Sequence, residues 1–128
     1  VIAPGMEVPV EDLRLHVTRD EVEYKRMRED EKDGIQATKL SARMGAEFLK
    51  AQEWVPDHIE QWKYPMLAII PGNDRLINSE VTRELLSRID EGLVTEIFYP
   101  ENHHESFNEI NREEVFARIV EWCEPRIK

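Results

Sequence analysis

The chain has 128 residues, 41% of them hydrophobic and 34% charged, which fits one globular domain and excludes a disordered or multidomain chain. Its net charge of −10 argues against nucleic acid as a partner and against an anionic membrane as an electrostatic dock, because both need a basic face; the acidity itself reads as solubility. One cysteine, Cys123, excludes an internal disulfide and a cysteine-based zinc site, and no apolar run is long enough to span a bilayer.

In chain order, Val1 to Leu15 carries Pro4 and Pro9, has no clean period, and reads as an irregular leading segment. No signal peptide is visible in it; with a single cysteine in the chain, a reducing, cytoplasmic setting is the default expectation. Thr18 to Glu21 can open a short helix running through Tyr24 and Met27, with the charged run Lys25 to Lys32 as its solvated face. A second helix is marked by Leu40, Met44, Phe48 and Ala51, spaced four, four and three apart. Such a stripe is expected to be core, a flank of an acyl pocket being the alternative. Met66 to Ile70 is an unbroken apolar run between prolines, as in a parallel strand buried on both faces. Gly72, Asn73 and Asp74 form a turn. Asn78 or Ser79 caps the next helix, which buries Val81, Leu85 and Ile89 and ends at Gly92. Val94 to Tyr99 reads as a second strand, and Pro100 to Ser106 as a polar loop. The last helix opens with Asn111 and Glu114 in a capping-box spacing. It presents Val115, Ile119 and Trp122 inward, with Phe116, Val120 and Cys123 beside them.

From Pro65 onward the order is therefore strand, helix, strand, helix, which predicts an α/β fold with a parallel sheet. Two strands do not make a stable sheet, so further strands are expected from elsewhere. Loops at the carboxyl ends of parallel strands are where functional groups gather. Asp74 follows the first strand; His103 and His104 follow the second. Neighbouring strands would bring the carboxylate to an imidazole, giving the acid and base of a nucleophile–base–acid relay. Taken singly, an Asp in a turn and a His in a polar loop are ordinary surface residues. Their order at two successive strand ends is what points to catalysis.

The segment Tyr64-Pro-Met-Leu-Ala-Ile-Ile-Pro-Gly-Asn-Asp-Arg-Leu-Ile77 resembles the penultimate strand and acid loop of the monoacylglycerol lipase and lysophospholipase branch of the α/β hydrolases, relatives of the S33 serine aminopeptidases. Phe98-Tyr-Pro-Glu-Asn-His-His-Glu-Ser-Phe-Asn-Glu109 resembles that branch's histidine loop, with His104-Glu105, Asn108-Glu109 and Arg112 in its pattern. The helix ending Ile119-Val-Glu-Trp122 is similar too. Leu15-His-Val-Thr-Arg-Asp20 and Thr38-Lys-Leu-Ser-Ala-Arg43 resemble the end of the cap insertion and the helix after it. The resemblance implies that residues 1–35 close the cap region and that 36–128 form the C-terminal part of the hydrolase core. It implies Asp74 and His104 as the catalytic acid and base, His103 as a neighbour at the pocket rim, and no metal or organic cofactor.

The same family carries its nucleophile in Gly-x-Ser-x-Gly. The glycines are Gly5, Gly34, Gly45, Gly72 and Gly92, no two of them four apart, and Ser41, Ser79, Ser87 and Ser106 all read as structural. The serine and the oxyanion hole are therefore expected to precede residue 1, in an upstream half of the same hydrolase. The substrate implied is a small-molecule or lipid ester, with peripheral membrane contact left open. The alternatives are a non-catalytic interaction domain with a hydrolase-like tail, or another activity of the fold such as an aminopeptidase.

Overall fold

The computed structural model describes residues 6–9, 16–35 and 39–127. Apart from its strand, most of the expected irregular segment Val1 to Leu15 lies outside them. Among the described residues there are two small sheets. Strand β1 (Glu7–Pro9) pairs antiparallel with β2 (Lys39–Ser41), and β3 (Met66–Pro71) pairs parallel with β4 (Val94–Tyr99). Helices α1 (Glu21–Lys32), α2 (Ala42–His58), α3 (Ser79–Leu86) and α4 (Arg112–Cys123) complete the α/β architecture. The buried apolar side chains are Val17, Met27, Ala68, Ile70, Ile89, Tyr99 and Val115.

Helix α1 starts at Asp20, whose Oδ1 accepts the N–H groups of Val22 and Glu23. It ends at Gly34, whose φ of 71° lies in the left-handed region. There Ile35 N–H reaches Asp30 O and Gly34 N–H reaches Glu31 O, the paired bonds that stop a helix and satisfy its last carbonyls. Met27 faces inward, and Arg26 bridges Glu23 and Asp30 on the solvated side.

Helix α2 departs from expectation. Ser41 caps it through Met44 N–H, yet none of its residues is buried. Met44 and Phe48, expected in the core, are 60% and 62% exposed, and Ala51 is exposed as well. The periodicity identified an amphipathic helix, but its first residue, Leu40, belongs to strand β2, and the apolar face at Met44 and Phe48 is left exposed.

Strands β3 and β4 are in register from Met66 opposite Val94 to Pro71 opposite Tyr99. On β3, alternate residues Ala68 and Ile70 are buried while Leu67 and Ile69 are half-buried, so burial falls on one face more than the other. The edge of β3 away from β4 has no neighbouring strand among the described residues.

Helix α3 is capped by Asn78, whose Oδ1 accepts from Glu80 and Val81 N–H. It stops at Leu86, short of Gly92, because the chain turns at Ser87 to Ile89, and Ile89 is buried from that turn. Val81, expected inside, is exposed. Arg83 pairs with Glu96 of β4 and lies over the Phe98 ring, fixing the helix to the sheet.

Helix α4 buries Val115 completely, and Trp122 donates to Thr95 Oγ1 of β4. The expected capping box is absent: Asn111 stands at the N-cap but makes no side-chain bond, and its Oδ1 is buried without a partner. Phe116 and Val120 are exposed, Phe116 stacking on Phe107.

Candidate active site

Parallel pairing sends both strands out of the sheet at the same end, so the loops after Pro71 and Tyr99 emerge side by side. Three backbone features lock them together. Gly72 N–H donates to Tyr99 O at 2.7 Å, extending the ladder by one bond, and Asn73 N–H donates to Asn102 O at 3.0 Å. A β-carbon on Gly72 would come within 2.6 Å of Pro100 Cα, so only glycine permits this approach.

Asp74 follows directly. Its Oδ1 accepts from Leu76 N–H at 2.8 Å and Ile77 N–H at 3.0 Å, an Asx-type turn that fixes the carboxylate. Its Oδ2 is then aimed at His104 Nδ1, 2.8 Å away. The Asp74 side chain is 3% exposed and that of His104 31%, so the acid is sealed while the imidazole stays partly open to solvent. Burial alone would raise the Asp74 pKa. The bond from His104 and the two backbone N–H donors outweigh it and hold the carboxyl below its usual range.

Of the residues singled out in the sequence, Asp74 and His104 are therefore brought into contact. His103 is half-buried; its backbone N–H donates to Glu109 and its Nδ1 is buried without a partner. The four serines are engaged elsewhere. Ser79 donates to Pro71 O and Ser87 to Glu84 O, while Ser106 accepts from Asn102 Nδ2 and Ser41 caps α2. Among the described residues none of them is hydrogen-bonded to His104, and no cluster of three or more His, Cys, Asp or Glu could hold a metal ion.

Sequence reasoning missed two buried polar residues beside the pair. Asn102, 1% exposed, holds the His loop to Asn73, and Glu109, fully buried, accepts four N–H donors. Asn102 had no signal beyond its place in a polar loop. Glu109 stood within the resemblance pattern, but its partner is 90 residues away and no local spacing joins them.

Comparison with known proteins follows the same outline. The crystal structure of the Paleococcus ferrophilus monoacylglycerol lipase superposes with a TM-score of 0.86 and 24% sequence identity, over 94% of this chain and 46% of the lipase chain. The likeness is one of fold, and this chain spans just under half of that enzyme. A family model described as serine aminopeptidase, S33, matches residues 1–111, a range that includes both loops and the Asp74–His104 contact. With most of its length and both strand-end loops inside that match, the chain belongs to the S33 serine aminopeptidase family of α/β hydrolases.

Proposed function

We propose that this chain contributes the acid, Asp74, and the base, His104, to a serine ester hydrolase of the monoacylglycerol lipase and lysophospholipase kind. The observation that carries this reading is the 2.8 Å bond from His104 Nδ1 to Asp74 Oδ2, made between loops at the same end of two paired parallel strands. A carboxylate in that position keeps the proton on Nδ1 and leaves the Nε2 lone pair available as base. It also stabilises the imidazolium formed when Nε2 takes a proton.

In the proposed reaction a serine hydroxyl attacks the ester carbonyl carbon while His104 Nε2 removes its proton. The tetrahedral intermediate collapses, His104 protonates the departing alcohol, and an acyl-serine remains. Water then repeats the sequence and releases the acid. The relay itself calls for no metal or organic cofactor. Because none of the chain's serines bonds to His104, we assign the nucleophile and oxyanion hole to an upstream half of the same hydrolase. On this reading residues 1–35 close the cap region, 36–128 belong to the core, and the setting is cytoplasmic with peripheral contact to lipid.

A second reading, hydrolysis of an N-terminal amide, is favoured by the family's description as serine aminopeptidases. The same relay serves both, so substrate decides between them. The test is to produce the chain alone and together with a separately made upstream half, and to offer each a nitrophenyl ester and an aminoacyl nitroanilide. Ester turnover only in the mixture, lost on His104→Ala, is the expected result. Anilide turnover without ester turnover favours the aminopeptidase. Turnover by the chain alone, blocked by a serine-directed phosphonate, would place the nucleophile among its own serines. Inactivity of the mixture towards both substrates leaves a non-catalytic interaction domain.

A further inference from the structure

We propose that Glu109, held by Arg19, is a positioning residue for the His104 base. The inference rests on the role assigned to His104 above. Glu109 is the one fully buried carboxylate among the described residues, and an enclosed charge is costly unless every lone pair finds a donor. Its donors are specific in where they lie. Oε1 accepts Arg19 N–H at 3.1 Å and His103 N–H at 2.9 Å; Oε2 accepts Arg19 Nε at 2.9 Å and Ile110 N–H at 3.3 Å.

The peptide joining Asn102 to His103, one residue ahead of His104, is thus fastened to Glu109. The peptide after His104 is fastened as well, since Glu105 N–H donates to Val17 O at 2.8 Å. Both bonds run to the short segment ahead of α1, directly or through Arg19. Two anchors enclosing the His103–His104 pair restrict the backbone from which the His104 side chain projects, and with it the direction of Nδ1 towards Asp74. The same guanidinium also holds the residue that contacts the acid loop. Arg19 Nη2 donates to Asn102 Oδ1 at 3.2 Å, and the carbonyl of Asn102 accepts Asn73 N–H, one residue before Asp74. Arg19 therefore braces Asn102, the residue through which the base loop meets the acid loop. A merely structural ion pair would hold the segment to the domain without engaging the His103 amide. Thr18 does that simpler job, its Oγ1 donating to Asn108 O at 2.6 Å.

The experiment is nuclear magnetic resonance on the full 128-residue chain labelled with nitrogen-15, reading the His104 Nδ1–H signal and imidazole tautomer. The expected wild type shows a downfield, slowly exchanging Nδ1 proton. Glu109→Gln and Arg19→Gln lose it while the β3 and β4 amide signals persist. Arg19→Lys, which keeps the charge but not the fork to Asn102, recovers it in part. Thr18→Val lowers stability and leaves it intact. A signal that survives both glutamine variants overturns the positioning role and leaves the dyad standing. A wild type without the signal overturns the dyad and this role with it. Where Glu109→Gln does not fold, Arg19→Gln decides. Amide exchange in the wild type decides independently of any variant: His103 and Glu105 N–H must be protected as the strand amides are, and rapid exchange at either overturns the proposal.

Discussion

A β-carbon built on Gly72 falls 2.6 Å from the α-carbon of Pro100 and 2.8 Å from its carbonyl oxygen. Those are backbone atoms, which cannot rotate away as a side chain would. The acid loop and the base loop touch at this point, two residues before Asp74 and four before His104.

Replacing Gly72 with alanine should therefore push the two loops apart rather than be absorbed locally. Overpacking of this kind costs about 1–3 kcal/mol. The measurement is the urea midpoint of the chain, and the Gly72→Ala variant should also weaken the His104 Nδ1–H signal. An unchanged midpoint would mean that the loops do not meet as closely as the 2.7 Å bond from Gly72 N–H to Tyr99 O requires.

Asp74→Asn keeps the size of the side chain and removes its charge. In the complemented enzyme, loss of the orienting carboxylate should lower kcat on the order of 10⁴-fold, since the wrong imidazole tautomer is then favoured. A second consequence is pH dependence of stability. The folded-state pKa of Asp74 is depressed, so its stabilising effect is complete above the unfolded value of about 3.9 and is lost as pH falls through the folded value. Acid titration monitored by circular dichroism should show wild type and Asp74→Asn separated near neutral pH and converging below about pH 4. Curves that stay parallel would mean that Asp74 is not bonded as described.

Asn78→Ala removes the acceptor for Glu80 and Val81 N–H at the start of α3. The expected loss is about 1 kcal/mol, and Asn78→Asp or Asn78→Ser should restore most of it. Because α3 leads directly from the acid loop, the variant also tests whether helix and loop loosen together, by hydrogen exchange at Leu76 and Ile77.

How much of this was legible depended on the range over which each signal acts. Strand β3 and the start of the helix after Asn78 are local patterns, a proline-bounded apolar run and a cap, and both begin where the sequence put them. The Asp74–His104 contact was legible because parallel pairing follows from strand, helix, strand order, and parallel strands share an exit. Contacts between distant segments left no such trace, and the Arg19–Glu109 pair is one. The capping box at Asn111 failed for a different reason: the spacing was right, but the N-cap backbone, at φ −101° and ψ 21°, is not extended, and its side chain makes no cap bond. Periodicity likewise found α2 but could not say what would cover it.

The last prediction concerns that uncovered face. Met44, Phe48, Trp54 and Val55 are all exposed on α2, and each would gain about 1.5–3 kcal/mol if fully buried. If they were core to this chain, replacing Met44 and Phe48 with serine would unfold it. Because they are exposed, Met44→Ser with Phe48→Ser should change the unfolding free energy from urea titration by no more than about 0.5 kcal/mol. The effect should instead appear in association. An exposed apolar face and a β3 edge with no neighbouring strand among the described residues are self-association surfaces, so sedimentation velocity should show less oligomer for the double variant than for wild type. The proposed upstream half would bury the same stripe, and its affinity for the double variant should fall by roughly 10- to 100-fold for each side chain it covers. A double variant that loses more than about 2 kcal/mol of stability would show that α2 packs within this chain after all.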